Sequence, residues 1–302
     1  MILAVLPYGV LKVCWLLGHP IGIPATSPAL DFVVPNLITL GMDVVAVVLA
    51  FAFVADWGRR LPAWLLLVPG WVGVGLLAPT VAIVAAGFTH GLLTEGRPVV
   101  MRDGLVEGWT YTVVYASFAV QGVLLTLGFG VYAGRRWPDL FGRVLPRQEP
   151  VGRFLAIAGA VGASAVGATR LFEAIAAPQG WRVSAWTFAN RFSEAAEGAM
   201  ALAAAIGVLA IAGVRLHGRE AVAVILTFVG SGSLFAWGLL RTFSLTARAP
   251  LSELITRQSA ILDFAATITG LTIGLTALFL LTAKSRAGDQ PCLHSGQVER
   301  RR

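Results

Sequence analysis

Long apolar stretches recur along this chain, each closed off by a short polar turn. They cover residues 3–19, 37–57, 62–89, 111–133, 152–177, 191–214, 220–244 and 259–283. Apolar residues follow one another within each stretch, without the alternating short segments of a membrane β-barrel. At 1.5 Å per residue, about 20 apolar residues cross the roughly 30 Å of hydrocarbon in a bilayer. The pattern therefore predicts an all-α integral membrane protein of eight transmembrane helices, arranged as four hairpins. The turns alternate in kind. "ADWGRRLP", "AGRRWPD" and "GVRLHGRE" are compact and basic, whereas "GHPIGIPATSPAL", "THGLLTEGRPVVMRDG" and "APQGWRVSAWTFAN" are longer and carry Pro or Gly. One bundle over residues 1–286 is expected, followed by a polar, disordered cytoplasmic tail over 287–302.

Composition agrees, with 57% hydrophobic and only 13% charged residues. The first stretch lacks a basic start and carries Lys12 in its apolar core, so a retained helix is expected rather than a signal peptide. The net charge of +7 would suit nucleic acid, but the arginines sit in short turns, as membrane topology alone explains. Fourteen basic residues fall in the turns after even-numbered stretches and in the tail, against five in the opposite loops. By the positive-inside rule both termini are expected in the cytoplasm, with the chain spanning the plasma membrane. Trp109, Trp181 and Trp186 then form an outer interfacial belt, and Trp57, Trp64 and Trp137 an inner one. Cys14 lies in a membrane stretch and Cys292 in the tail, which argues against a disulfide. No metal-ligand spacing, Walker motif or dinucleotide fingerprint is present, so neither a metal nor a cofactor is expected.

Ionisable residues inside the apolar stretches change the picture. The phrase "GVLKVCWLLGHP" around Lys12 has counterparts in "GATRLFEAIAAP" around Arg170 and "GLLRTFSLTARAP" around Arg241. Each reads Gly-x-x-basic with a proline eight or nine residues after the basic residue, as in a duplicated hairpin. That places all three cations roughly 12 Å below the outer helix ends. The third stretch has Ala78 at the matching place, and the fourth has neutral Gln121 where its partner acid would stand. The other even stretches supply Asp43, Glu194, Glu197 and Asp263, while Glu173 and Arg191 each lie three residues from an opposite charge. A charge in hydrocarbon costs at least about 2.5 kcal/mol, so these side chains must face the bundle interior or water. A pocket opening outward is expected, walled by stretches 1, 2, 5, 6, 7 and 8, with the hairpin of stretches 3 and 4 as packing. A structural ion-pair network is the competing account of these charges, with Arg191 and Asp43 near enough to helix ends to reach the interface.

A carboxylic acid in apolar surroundings keeps its proton unless a cation is adjacent, and so is a candidate general acid. Trp15, Phe172, Phe192, Trp237, Phe243 and Phe264 lie on or beside the charged turns, and aromatic faces stabilise positive charge. The segment "LKVCWLLGHPIG" (Leu11–Gly22), together with the acids Asp43, Glu194, Glu197 and Asp263, resembles the membrane-bound terpene cyclases of actinobacterial indole-sesquiterpenoid (drimane-type) pathways. The resemblance implies a cofactor-free cyclase that protonates an alkene or epoxide of a lipid-soluble, farnesyl-type isoprenoid. It implies an acid among Asp43, Glu173, Glu194, Glu197 and Asp263, and a lining of Lys12, Trp15, Arg170, Phe172, Arg191, Trp237, Arg241 and Phe264. The four intramembrane cations depart from what a hydrocarbon substrate needs; pairing with the acids would tune which acid stays protonated. The rival class is a transporter or receptor for a small anion or zwitterion, held by the three cations. A redox protein using His19 and His90 is a third class.

Overall fold

The computed structural model describes residues 1–24, 33–96, 106–138, 150–181, 186–213, 220–246 and 256–288. All eight expected helices are present: α1 (Ile2–Leu16), α2 (Val33–Val54), α4 (Ala63–Glu95), α5 (Gly108–Arg136), α6 (Pro150–Ala176), α7 (Phe188–Ile211), α8 (Glu220–Thr246) and α9 (Arg257–Gly288). A ninth, α3 (Asp56–Arg60), fills the turn "ADWGRRLP", where the sequence gives no sign of a helix. Among the described residues there is no strand.

The chain is a multi-pass membrane protein of the all-α class: seven helices, α2 and α4–α9, are long and apolar enough to cross a bilayer. The eighth, α1, has 15 residues and rises only about 22 Å. Large apolar side chains such as Leu3, Val54, Leu127, Val161 and Ile175 stand bare on the outside of the bundle, where lipid would cover them. Helix ends and apolar stretches do not coincide: α1, α2 and α7 stop short of the expected ends at 19, 57 and 214, whereas in other helices polar residues continue the backbone ladder past the apolar span. Thus α4 runs six residues beyond the predicted end and stops at Gly96, whose φ of 69° closes it. The expected tail begins later too, since α9 continues through Gly288; residues 289–302 lie outside the described residues. So do the loop arginines Arg97, Arg102, Arg182 and Arg248 and the turn arginines Arg143, Arg147, Arg215 and Arg219.

The helices sort into two groups. In the second half α6, α7, α8 and α9 close a ring, each packing on the next and α9 returning to α6. Its core is alanine and small aliphatics, including Ala156, Ala160, Ala163, Ala201, Ala204, Ala205 and Val208. Small side chains let helices approach closely where lipid offers no hydrophobic drive to associate them. In the first half α1 and α2 pack on each other and on α5. Its second core is aromatic: Phe53, Phe129 and Tyr132 pack with Leu49, Leu66 and Leu125. Helix α4 joins the halves, touching α2 and α5 on one side and α7 and α8 on the other.

Helix α8 is the most closely engaged. A methyl group at Gly230 would sit 2.5 Å from the Met200 carbonyl oxygen of α7. One at Gly232 would sit 2.6 Å from the Trp71 carbonyl oxygen of α4. One at Gly238 would sit 2.5 Å from the Asp263 carbonyl oxygen of α9. Three glycines therefore bring one helix into backbone contact with three neighbours. At the face of the long loops, the segment after α1 docks on the start of α5: the Gly22 carbonyl accepts from Glu107 N (2.8 Å) and Thr110 Oγ1 (3.2 Å). At the face of the short turns, Arg136 donates to the Gly58 (2.9 Å) and Leu61 (2.7 Å) carbonyls, tying the end of α5 to α3.

Candidate functional site

The intramembrane charges gather in the second half. On α6, Gly167 meets Gly198 of α7 so closely that a methyl there would lie 3.0 Å from the Gly198 carbonyl. One turn on, this approach delivers Arg170 to the acids of α7. Its Nη1 donates to Glu194 Oε2 at 2.7 Å, and its Nη2 donates to Asp263 Oδ1. Glu173 and Glu197 stand 3.9 and 3.8 Å from the same guanidinium. Arg241 on α8 grips Glu197 with both nitrogens, Nη1 to Oε2 at 2.8 Å and Nη2 to Oε1. It also donates from Nη1 to Asp263 Oδ1 at 3.2 Å. Four helices thus contribute to one network of two guanidiniums and four carboxylates.

Two features set Asp263 apart. Its Oδ1 is shared by both arginines, while its Oδ2 is buried and accepts no hydrogen bond from the described residues. At 1% side-chain exposure it is also the deepest member, whereas Arg241 keeps 23% and sits where the network opens. Trp237 holds Arg241 in place: its ring lies 5.3 Å from the guanidinium carbon, and its Nε1 donates to the Leu76 carbonyl of α4 at 3.1 Å. Below the network lies a cavity of about 10 Å³, lined by Val166, Arg170, Glu197, Ser233, Trp237 and Ala266 among others. Its volume suits about one water molecule.

Lys12 and Asp43 do not join this network. They form a pair of their own between α1 and α2, at 2.6 Å and with 0% and 4% side-chain exposure. The Tyr8 ring covers the ammonium at 3.9 Å, and Tyr8 in turn touches Trp15 and Phe118 edge-on. The expected six-helix pocket is therefore replaced by two separate charged sites. The reason is α4: it packs between the halves rather than standing outside as a wall.

Other expected members lie elsewhere. Phe172 and Phe264 are 53% and 58% exposed and point away from the network, as does half-exposed Phe243. Arg191 is exposed and donates to the Ile175 carbonyl at 3.4 Å, in keeping with its place near a helix end. Trp15 donates to the Ile21 carbonyl at 2.8 Å, in the first half. Gln121 is buried and donates to Ser117 Oγ, which donates to the Ala4 carbonyl, so a neutral hydrogen-bond chain joins α5 to α1. Ser233 was not singled out by the sequence; the glycine-flanked "GSGS" two turns before Arg241 is the signal that marks it. Among the described residues no group of three His, Cys, Asp or Glu is arranged to hold a metal ion.

No family model matches this chain, and no curated protein or solved structure proves similar to it.

Proposed function

We propose that the second half of this protein binds a proton within the membrane and moves it between the two faces, as a transport protein does. One observation carries the reading. Asp263 is buried in the bundle with one oxygen held by two guanidiniums and the other without a hydrogen-bond partner among the described residues, so it has a place for a proton and cations to balance its charge when the proton leaves. Asp263 and Glu197 share Arg241, so the two carboxylates are linked through one guanidinium. Ionisable chains inside membrane bundles mark ion pathways and proton relays. The excess of basic residues in the short turns supports cytoplasmic termini in a plasma-membrane protein, an orientation in which the Arg241 end of the network faces outward.

The test is proton flux in lipid vesicles containing the purified protein and a trapped pH dye, driven by an imposed potential. Wild type is expected to carry protons inward, and Asp263→Asn to fall to the level of protein-free vesicles. Wild-type flux equal to that of empty vesicles would overturn the reading.

The isoprenoid-cyclase reading keeps one observation in its favour. Tyr8 covers the Lys12–Asp43 pair and is itself flanked by Trp15 and Phe118, with Tyr115 beyond Phe118, which makes Asp43 the acid of that reading. The cavity at the arginine network fits a water rather than a fifteen-carbon chain. Membranes supplied with a farnesylated indole and no magnesium distinguish the two: product lost in Asp43→Asn but kept in Asp263→Asn supports cyclisation over proton transport.

A further inference from the structure

The five-residue helix α3, at the short-turn face, is held in one pose by side chains of α5. Arg136 donates to the Gly58 and Leu61 carbonyls, and Tyr132 Oη donates to the same Gly58 carbonyl at 3.1 Å. Gly58 is buried, and a methyl group there would strike the Ala52 carbonyl, so α3 lies folded back on the end of α2. With Gly58 turned inward, its neighbours Trp57, Arg59 and Arg60 are exposed, and so is Arg135 beside the clamp. Arg59 pairs with Asp56 of its own turn, whereas Arg60 and Arg135 have no hydrogen-bonding or ionic partner among the described residues. Residues 55–61 and 132–138 together carry four guanidiniums against one carboxylate. Apolar surface adjoins them. Val54, the last residue of α2, is 87% exposed, Phe51 one turn earlier is bare as well, and Trp57 and Trp64 are exposed nearby in the chain.

We propose that this corner of the bundle binds an anionic phospholipid, with its phosphate held by Arg60 and Arg135 and its acyl chains lying along Phe51 and Val54. The guanidinium fork matches phosphate oxygens, and clusters of arginine just outside a membrane helix attract anionic headgroups. Charge alone would suit a soluble phosphate equally well. The bare apolar end of α2 favours a lipid, because a free anion has no use for it, and exposed Trp rings lie at headgroup depth in a bilayer. The clamp fits the same account. Arg136 spends its hydrogen bonds on the backbone of α3, which fixes two arginines from distant parts of the chain to one patch and leaves both of their guanidiniums open. The site lies in the first half of the protein and is independent of the proton reading above.

The experiment is native mass spectrometry of the full chain in detergent, titrated with phosphatidylglycerol or with phosphatidylcholine of the same acyl chains. Wild type is expected to retain one phosphatidylglycerol at concentrations where phosphatidylcholine is lost. An arginine near an anionic headgroup contributes roughly fivefold to binding, so Arg60→Gln/Arg135→Gln is expected to weaken retention by about 25-fold. Both arginines are exposed and lie outside the clamp, so the double variant is expected to keep the wild-type melting temperature in lipid-free detergent. Arg153→Gln removes an exposed charge from the start of α6, in the other half of the bundle, and is expected to retain the lipid as wild type does. Equal retention of the two lipids overturns the proposal, as does undiminished retention in the double variant or an equal loss in Arg153→Gln. Glycerol phosphate that displaces the lipid at the lipid's own concentration would make the occupant a free anion, and that also overturns it.

Discussion

The two charged sites respond differently to the loss of one residue. Among the described residues Lys12 and Asp43 have each other as ionic partners, so Lys12→Met leaves Asp43 buried and uncompensated. Such a loss costs roughly 3–5 kcal/mol, and Lys12→Met/Asp43→Leu is expected to recover much of it, because a well-packed apolar pair often equals a buried ion pair. Thermal melting in detergent of the two single variants and the double variant reads this out; additive losses would show that the residues do not work as a pair. Arg241→Met is milder for Asp263, which keeps Arg170, but it strips Glu197 of both its strongest bonds. At this scale the sequence was informative about pairing. Each cation meets an acid on the next helix: Lys12 with Asp43, Arg170 with Glu194, Arg241 with Asp263. It was uninformative about aromatic lining. Residues two apart on a helix diverge by about 200°, so Phe172 cannot face what Arg170 faces. Adjacency in the chain was mistaken for adjacency in space.

Among elements, α8 shows how the sequence hides its reasons. Its glycines look like weak points in a helix, yet each marks a neighbour's backbone. Gly232→Leu is expected to push α4 from α8, break the Trp71–Ser231 and Trp237–Leu76 bonds and destabilise the fold by about 1–3 kcal/mol or more. A lowered melting temperature together with altered tryptophan fluorescence would register it; an unchanged melting temperature would mean that the helices have slack there. The eight helices were legible because apolar length in a membrane protein is a strong constraint. The short α3 was not: the five residues Asp56, Trp57, Gly58, Arg59 and Arg60 are too few to show a periodicity. It is clamped instead by Arg136, a residue 75 or more positions away from the turn it holds.

For the whole molecule, the asymmetry of basic turns makes a claim about orientation. With Cys14 and Cys292 replaced by serine, a cysteine at Glu95 is expected to react with a membrane-impermeant maleimide applied to intact cells. One at Asp56 is expected to react only after permeabilisation; the reverse pattern would invert the topology. The sequence did not reveal that α4 divides the charges into two sites, since a repeat pattern fixes depth but not which helices are neighbours. Spatial order follows from which faces carry small residues, and that is spread over every helix at once.

The glycine contacts of α8 also bear on movement. Interlocked side chains resist sliding, because one layer must climb over another. Backbones that meet at Gly230, Gly232 and Gly238 present comparatively smooth tracks, closely fitted but with few teeth. Side-chain bonds supply the teeth instead: lengthwise movement of α8 has to break the Trp237–Leu76, Trp71–Ser231 and Arg241–Glu197 contacts together.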